Sequence, residues 1–97
     1  MTIQEKRKEI DAIDAAIIEL LIWRSSAARD ISMLKLSAGL PISDRSRESD
    51  VISNATRIAA GKVTDEAILQ IYEAIMAESR RVQQAVRYEV LRHGALR

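Results

Sequence analysis

The feature that most constrains this chain is an uninterrupted helical pattern over its first forty residues. Between Glu5 and Leu36 there is no glycine and no proline, and the apolar residues recur at heptad spacing. That spacing is typical of a long helix with one apolar stripe. One row of the stripe consists of Ile10, Ile17 and Ile31, and the other consists of Ile13, Leu20, Ala27 and Leu34.

Two basic residues interrupt this stripe. Arg24 occupies the first row between Ile17 and Ile31, and Lys35 flanks the far end. The two cations are 11 residues apart in the sequence, and that separation turns a helix through about three full turns. We therefore expect both cations to face the same interior.

A helix of this length does not fit inside a monomer of this size. Some thirty residues extend about 45 to 50 Å along a helix axis. A compact monomer of 97 residues has a radius of gyration of only about 12 to 13 Å. The stripe therefore needs a second chain to cover it, and we expect an intertwined homodimeric helical bundle with two-fold symmetry as its simplest form.

The remainder of the chain predicts two shorter helices, so that residues 1–97 form one all-α domain of three helices. A capping-box pattern, Thr2 with Glu5, is expected to begin the first helix. Gly39 can take a left-handed cap and Pro41 prevents continuation, so the first helix is expected to end there.

The second helix is expected over residues 43–60 and the third over residues 64–91, followed by a frayed tail from Arg92. Both helices carry apolar residues three and four positions apart, which predicts one buried face on each. The predicted capping residues are Ser43 or Asp44 for the second helix and Thr64 for the third, and Gly61 is expected to end the second helix.

The composition argues against several classes of function. Fifteen Lys and Arg against 14 Asp and Glu give a net charge of +1, which removes the electrostatic case for binding nucleic acid or an anionic membrane. With no cysteine and one histidine, neither a disulfide framework nor a zinc site is expected. The start of the chain lacks a signal-peptide core, and no apolar run approaches the ~20 residues of a membrane span. We expect a soluble, cytoplasmic protein.

Polar residues interrupt the apolar face of all three predicted helices. A single interruption is usually structural, either an exposed helix start or a hydrogen bond between helices. Three interruptions that converge on one interior would instead form a polar chamber inside a helical bundle, which is a common place for a ligand site. The interrupting residues are Arg24 and Lys35 on the first helix, Asp44, Arg47 and Glu48 on the second, and Ser79 and Gln83 on the third.

The chemistry of this set favours a small anionic ligand. Cations outnumber carboxylates in it, and burying a cation without counter-charge costs on the order of several kcal/mol. The planar fork of an arginine matches a carboxylate in bidentate fashion, so a small dicarboxylic acid fits. The sequence offers no nucleophile with an adjacent base and no glycine-rich phosphate loop. An enzyme of this kind would act by positioning and electrostatics.

Together with Arg7, these residues resemble the site pattern of the all-helical class of chorismate mutases. The resemblance covers nearly the whole chain, through the segments IDAIDAAIIELLIWR, PISDRSRE and ESRRVQQ. It concerns the free-standing form, because a fused dehydratase or dehydrogenase domain would not fit in 97 residues. The matching positions are Arg7, Arg24, Lys35, Asp44, Arg47, Glu48, Ser79 and Gln83.

The resemblance implies a homodimer in which each of two sites borrows Arg7 from the partner chain. The sequence supports this sharing, because Arg7 precedes Arg24 by 17 residues. That separation is roughly 25 Å along one helix and about 100° around it. Both arginines of one chain cannot easily hold the same small molecule, whereas an antiparallel partner can deliver its own Arg7.

The resemblance also implies a reaction, the one-step Claisen rearrangement of chorismate to prephenate, which requires no cofactor. In the family pattern, Arg7 and Arg24 bind the substrate carboxylates, and Ser79 assists with one of them. Lys35 and Gln83 donate hydrogen bonds to the ether oxygen, where negative charge grows as the carbon–oxygen bond breaks. These two contacts strengthen at the transition state, so they are expected to affect turnover more than binding.

The second helix is implied to hold the ring end of the substrate. Glu48 and the backbone at Asp44 hold the ring hydroxyl, and Arg47 completes the cationic wall. Two enzymes on the same scaffold are alternatives, isochorismate pyruvate-lyase and 4-amino-4-deoxychorismate mutase. In those relatives the position that matches Glu48 is typically changed, so Glu48 favours chorismate.

A non-enzymatic helical dimerisation module is the alternative from another class. In that interpretation Arg24, Ser79 and Gln83 only fix the register of the helices, as buried polar residues can. It predicts that Arg24→Leu raises the thermal stability and that no small dicarboxylic acid shifts the melting temperature. It does not explain why all three helices carry the matching residues.

Overall fold

The computed structural model describes residues 1–94 and consists of three α-helices. They are α1 (Ile3–Ser37), α2 (Arg45–Ala59) and α3 (Asp65–His93), and no strand occurs within the described residues. The all-α prediction is therefore confirmed. Helix α3 ends at His93, two residues beyond the expected end at residue 91. Residues 95–97 of the predicted frayed tail lie outside the described part of the chain.

The caps of α1 lie where the sequence predicts them. The hydroxyl of Thr2 accepts a hydrogen bond from the backbone N–H of Glu5 at 3.1 Å, and the carboxylate of Glu5 accepts one from the backbone N–H of Thr2 at 3.4 Å. At the other end, Gly39 takes a left-handed conformation with φ of 69°, and the N–H of Leu40 donates to the carbonyl of Lys35 at 2.8 Å. These bonds satisfy backbone groups that a helix end leaves without an intrahelical partner.

The two ends of α2 differ in how well the sequence predicts them. Of the two candidate caps, Asp44 is the one that caps α2, since its carboxylate accepts from the N–H of Arg47 at 3.0 Å. The left-handed residue that caps the other end is Ala60, with φ of 50°, and Gly61 follows it with φ of 78°. The helix therefore ends one residue before the predicted terminator. The left-handed conformation of Ala60 costs roughly 1 to 2 kcal/mol, because its Cβ atom crowds the backbone.

Helix α3 is the central element, because it packs against both α1 and α2. Its apolar face carries most of the buried core, as the three- and four-residue spacing predicts. Against this face lies Ser32 of α1, whose side chain has no solvent exposure. Its hydroxyl donates to the backbone carbonyl of Gln83 at 2.7 Å, which fixes α1 against α3. The buried apolar residues are Ala28, Ala55, Ile68, Met76, Val82 and Val86.

The N-terminal half of α1 extends beyond this core and leaves its apolar stripe exposed. The radius of gyration is 17.0 Å and the longest dimension is 59 Å, well above the ~12 to 13 Å radius of a compact chain of this size. Exposed apolar surface of this kind is typical of interaction sites. About half of each side chain is exposed at Ile10, Ile13, Ile17 and Leu20.

None of the described helices is a candidate membrane span. None of the helices formed by residues 1–94 combines the length and the apolar run that a membrane span requires.

The hydroxyl of Ser32 provides a test of how α1 is held on α3. Ser32→Ala removes a buried hydrogen bond, so we expect the free energy of unfolding to fall by about 1 kcal/mol. Ser26→Ala, at an exposed position of the same helix, is the matched control, and it should stabilise slightly because alanine favours helix. Urea unfolding at one fixed protein concentration measures both. Equal stability of the two variants would contradict the role assigned to Ser32.

Candidate active site

A cavity of about 300 Å³ lies where α1, the start of α2 and α3 meet. Seven of the eight site residues predicted from the sequence line it, and Arg7 does not. The apolar part of the wall includes Ile31, Val51 and Met76. The predicted residues in the wall are Arg24, Lys35, Asp44, Arg47, Glu48, Ser79 and Gln83.

The two cations of α1 face the same cavity, as their spacing predicts. Arg24 and Lys35 are both half-buried. The ammonium of Lys35 donates to the backbone carbonyl of Ile42 at 2.7 Å and to Oε1 of Gln83 at 3.1 Å. An ammonium group has three N–H donors, so these bonds leave one of them for a ligand.

The two predicted site residues of α3, Ser79 and Gln83, lie one turn apart and contact each other. Gln83 is buried, and its Nε2 donates to the hydroxyl of Ser79 at 3.3 Å. Its Oε1 accepts from Lys35, so both ends of the carboxamide are held. A carboxamide has two N–H donors, and the second one is left for a ligand. The side chain therefore links helices, as a buried polar group usually does, and still presents a donor to the cavity.

The residues of α2 divide between a structural and a cavity role. The carboxylate of Asp44 is the cap of the helix, which is the ordinary role expected for an acidic residue at a helix start. Arg47 lines the cavity from an exposed position, while Glu48 is half-buried. Oε1 of Glu48 accepts a hydrogen bond from the guanidinium of Arg80 on α3 at 2.5 Å.

Positive charge predominates in the cavity wall. The wall contains four cationic side chains and two carboxylates, and one carboxylate is already paired with a cation. The excess of cations suits a ligand with more than one carboxylate, because such a ligand supplies the missing counter-charge. Within residues 1–94 no cluster of His, Cys, Asp or Glu is placed to hold a metal ion.

Two groups of this cavity are absent from the sequence-based prediction. Arg80 adjoins Arg81, and a pair of arginines on a helix is ordinarily a solvated surface. The signal was its spacing, since Arg80 follows Met76 by four residues and precedes Gln83 by three, on the stripe that faces the core. The carbonyl of Ile42 has no sequence signature, because every residue carries one.

Arg7 is the one predicted site residue that the single chain does not bring to the cavity. It lies on the exposed N-terminal part of α1, in the second turn from its start. The rise of a helix places it roughly 25 Å from Arg24. A contribution from Arg7 to this cavity therefore requires a second chain.

Comparison with known proteins finds relatives that match most of the chain. A family model described as chorismate mutase type II matches residues 6–84. A chorismate mutase of Methanocaldococcus jannaschii is 31% identical over 80 residues, which cover 81% of this chain and 81% of that protein. No solved structure gave a significant match.

Two further relatives carry other names. A bifunctional chorismate mutase/prephenate dehydratase of Aquifex aeolicus is 35% identical over 79 residues, which cover 77% of this chain and 22% of that protein. A 4-amino-4-deoxychorismate mutase of Streptomyces venezuelae is 32% identical over 85 residues, covering 87% of this chain and 82% of that protein.

The family match spans most of the chain and includes the residues of the cavity wall. The three helices, their order and the long first helix are those expected for that family. The chain therefore belongs to the type II chorismate mutase family.

Proposed function

We propose that this protein catalyses the one-step rearrangement of chorismate to prephenate. The observation that carries the proposal is the convergence of Arg24, Lys35 and Gln83 on one cavity in a chain of this family. The reaction proceeds without a general acid, a general base or a nucleophile. The cavity acts by holding a flexible dianion in its reactive shape and by stabilising the charge that develops on one oxygen.

The cationic wall binds the substrate carboxylates. Arg24 offers a planar fork for one carboxylate, and the hydroxyl of Ser79 lies on the neighbouring helix to assist it. Arg47 adds positive charge at the other side of the wall. Fixing both carboxylates brings the enolpyruvyl arm over the ring, so the entropy cost of that arrangement is met on binding rather than at the transition state.

Lys35 and Gln83 stabilise the transition state. Each has one N–H donor left after its contacts within the protein. Both donors are directed at the ether oxygen, which gains negative charge as the carbon–oxygen bond breaks. Their own orientation is fixed by the Ile42 carbonyl and by Ser79, so little reorganisation is needed during the reaction.

Glu48 holds the ring hydroxyl at the α2 end of the cavity, with the backbone at Asp44. Oε1 of Glu48 is engaged by Arg80, and Oε2 accepts from the hydroxyl. The excess of cations in the wall keeps the whole site complementary to a dianion.

The active form is a homodimer that completes each site with Arg7 of the partner chain. The exposed apolar stripe of α1 supports this arrangement. A second α1 packed antiparallel covers the stripe and brings its N-terminal end, with Arg7, toward the cavity of the first chain. A cytoplasmic location and independence of any cofactor stay predictions from the sequence.

The isochorismate pyruvate-lyase activity known on this scaffold defines the first assay. The protein is incubated with chorismate and with isochorismate, and the products are identified by chromatography. Prephenate from chorismate supports the proposal. Release of pyruvate from isochorismate with no prephenate from chorismate would assign the lyase activity instead.

Lys35 is the residue whose loss should slow turnover most. Lys35→Ala removes a charged donor from the reacting oxygen, so we expect kcat to fall about 10²- to 10³-fold, with a smaller change in KM. Lys62→Ala, in the turn between α2 and α3, is the matched control and should leave both constants unchanged. Steady-state kinetics measures the effect, and circular dichroism verifies that the variant is folded. A fall in kcat below tenfold would contradict the assigned role.

Mixed dimers test the sharing of Arg7. Arg7→Ala and Arg24→Ala should each lose most activity alone. After subunit exchange, a dimer of one variant with the other contains one intact site, built from Arg24 of one chain and Arg7 of the other. Random exchange should therefore restore about a quarter of the wild-type activity. A mixture no more active than its separate components would contradict the sharing.

A further inference from the structure

An ion pair joins α2 to α3 at the wall of the cavity. The guanidinium of Arg80 donates to Oε1 of Glu48 at 2.5 Å, and both side chains line the cavity. The side chains are 41% and 28% exposed, respectively. A pair this accessible adds little to the free energy of unfolding.

The geometry of the pair places a cation beside the group that Glu48 would bind. Arg80 engages Oε1 only, which leaves Oε2 to accept a hydrogen bond from a ligand. The carboxylate is about 2 Å across and a hydrogen bond is about 2.8 Å long, so a group bound to Oε2 lies roughly 5 to 6 Å from the guanidinium. At that distance two positive charges repel each other appreciably in a partly dry site.

The charge of the bound group then decides how Arg80 affects its free energy of binding. A hydroxyl donates to Oε2 and has no net charge, so it is indifferent to the guanidinium. A primary ammonium is attracted by the carboxylate and repelled by Arg80, and it also loses more hydration on entering the cavity. Without Arg80 the unpaired carboxylate would favour the ammonium.

We propose that Arg80 is a specificity-determining residue that makes this site prefer a hydroxyl over an ammonium at the ring position that Glu48 contacts. The inference rests on the proposed function, which supplies the substrate and the role of Glu48. Arg80 thereby distinguishes chorismate from 4-amino-4-deoxychorismate, which differ at that ring position. A relative of this chain acts, by its name, on the amino compound. Enzymes of this scaffold therefore differ in which of the two ring substituents they accept.

The next residue along α3 provides a matched control. Arg81 makes a bidentate ion pair with Glu78 within the same helix, and its side chain is 66% exposed. This pairing lowers the pKa of the Glu78 carboxyl, chiefly through the hydrogen bonds from Arg81. Arg81 does not line the cavity. Removing either arginine changes the net charge equally, but only Arg80 lies beside the ligand.

The experiment compares kcat/KM for the two substrates. The ratio of the amino compound to chorismate is measured for the wild-type protein, Arg80→Leu, Arg80→Lys and Arg81→Leu. We expect Arg80→Leu to raise the ratio about tenfold. Arg80→Lys, which keeps the charge, should restore a ratio close to that of the wild type, and Arg81→Leu should leave the ratio unchanged.

Three results would overturn the inference. An Arg80→Leu ratio equal to that of Arg81→Leu, in a protein that converts chorismate to prephenate, would show that Arg80 does not discriminate. Equal losses of kcat/KM for both substrates would show a structural role for Arg80. If Arg80→Leu does not fold, Arg80→Gln is measured by the same ratio. A wild-type protein that makes no prephenate would reject the proposed function, and this inference with it.

Discussion

The ammonium of Lys35 is the group on which the arrangement of the site depends. It bonds the carbonyl of Ile42 in the loop after α1 and the carboxamide of Gln83 on α3. One side chain thus joins α1, the loop that leads into α2, and α3. The positive charge is half-buried, and it is stabilised by neutral oxygen dipoles rather than by a carboxylate. A cation held in this way remains available to an anionic ligand, because no carboxylate within residues 1–94 forms an ion pair with it.

The second constraint is the length of α1, which is greater than one chain of this size can cover. Its C-terminal half packs on α3 and carries Arg24, Ser32 and Lys35. Its N-terminal half leaves an apolar stripe in solvent and carries Arg7 away from the cavity. If a second chain covers the stripe, the same packing that stabilises the dimer also completes the site. Folding, association and substrate binding then depend on one helix.

The sequence predicts the parts of this structure that follow from periodicity. The spacing of Arg24 and Lys35 predicts a shared cavity, and the Thr2 cap is found as expected. The contacts that orient the site are less predictable. The carbonyl of Ile42 is a backbone group without a sequence signature, and Arg80 resembles a solvated charge until its partner Glu48 is seen across the cavity. The assigned roles of the eight site residues and the dimer stay predictions.

We propose that fixed positive charges contributed by two chains hold a dicarboxylate in the cavity. A crystal structure with a rigid dicarboxylate analogue of the reacting conformation tests it most directly. We expect a two-fold dimer with the ligand in the cavity, one carboxylate on Arg24, another on Arg7 of the second chain, and the ether oxygen within hydrogen-bond distance of Lys35. A ligand bound elsewhere, or a cavity that no second chain approaches, would contradict it.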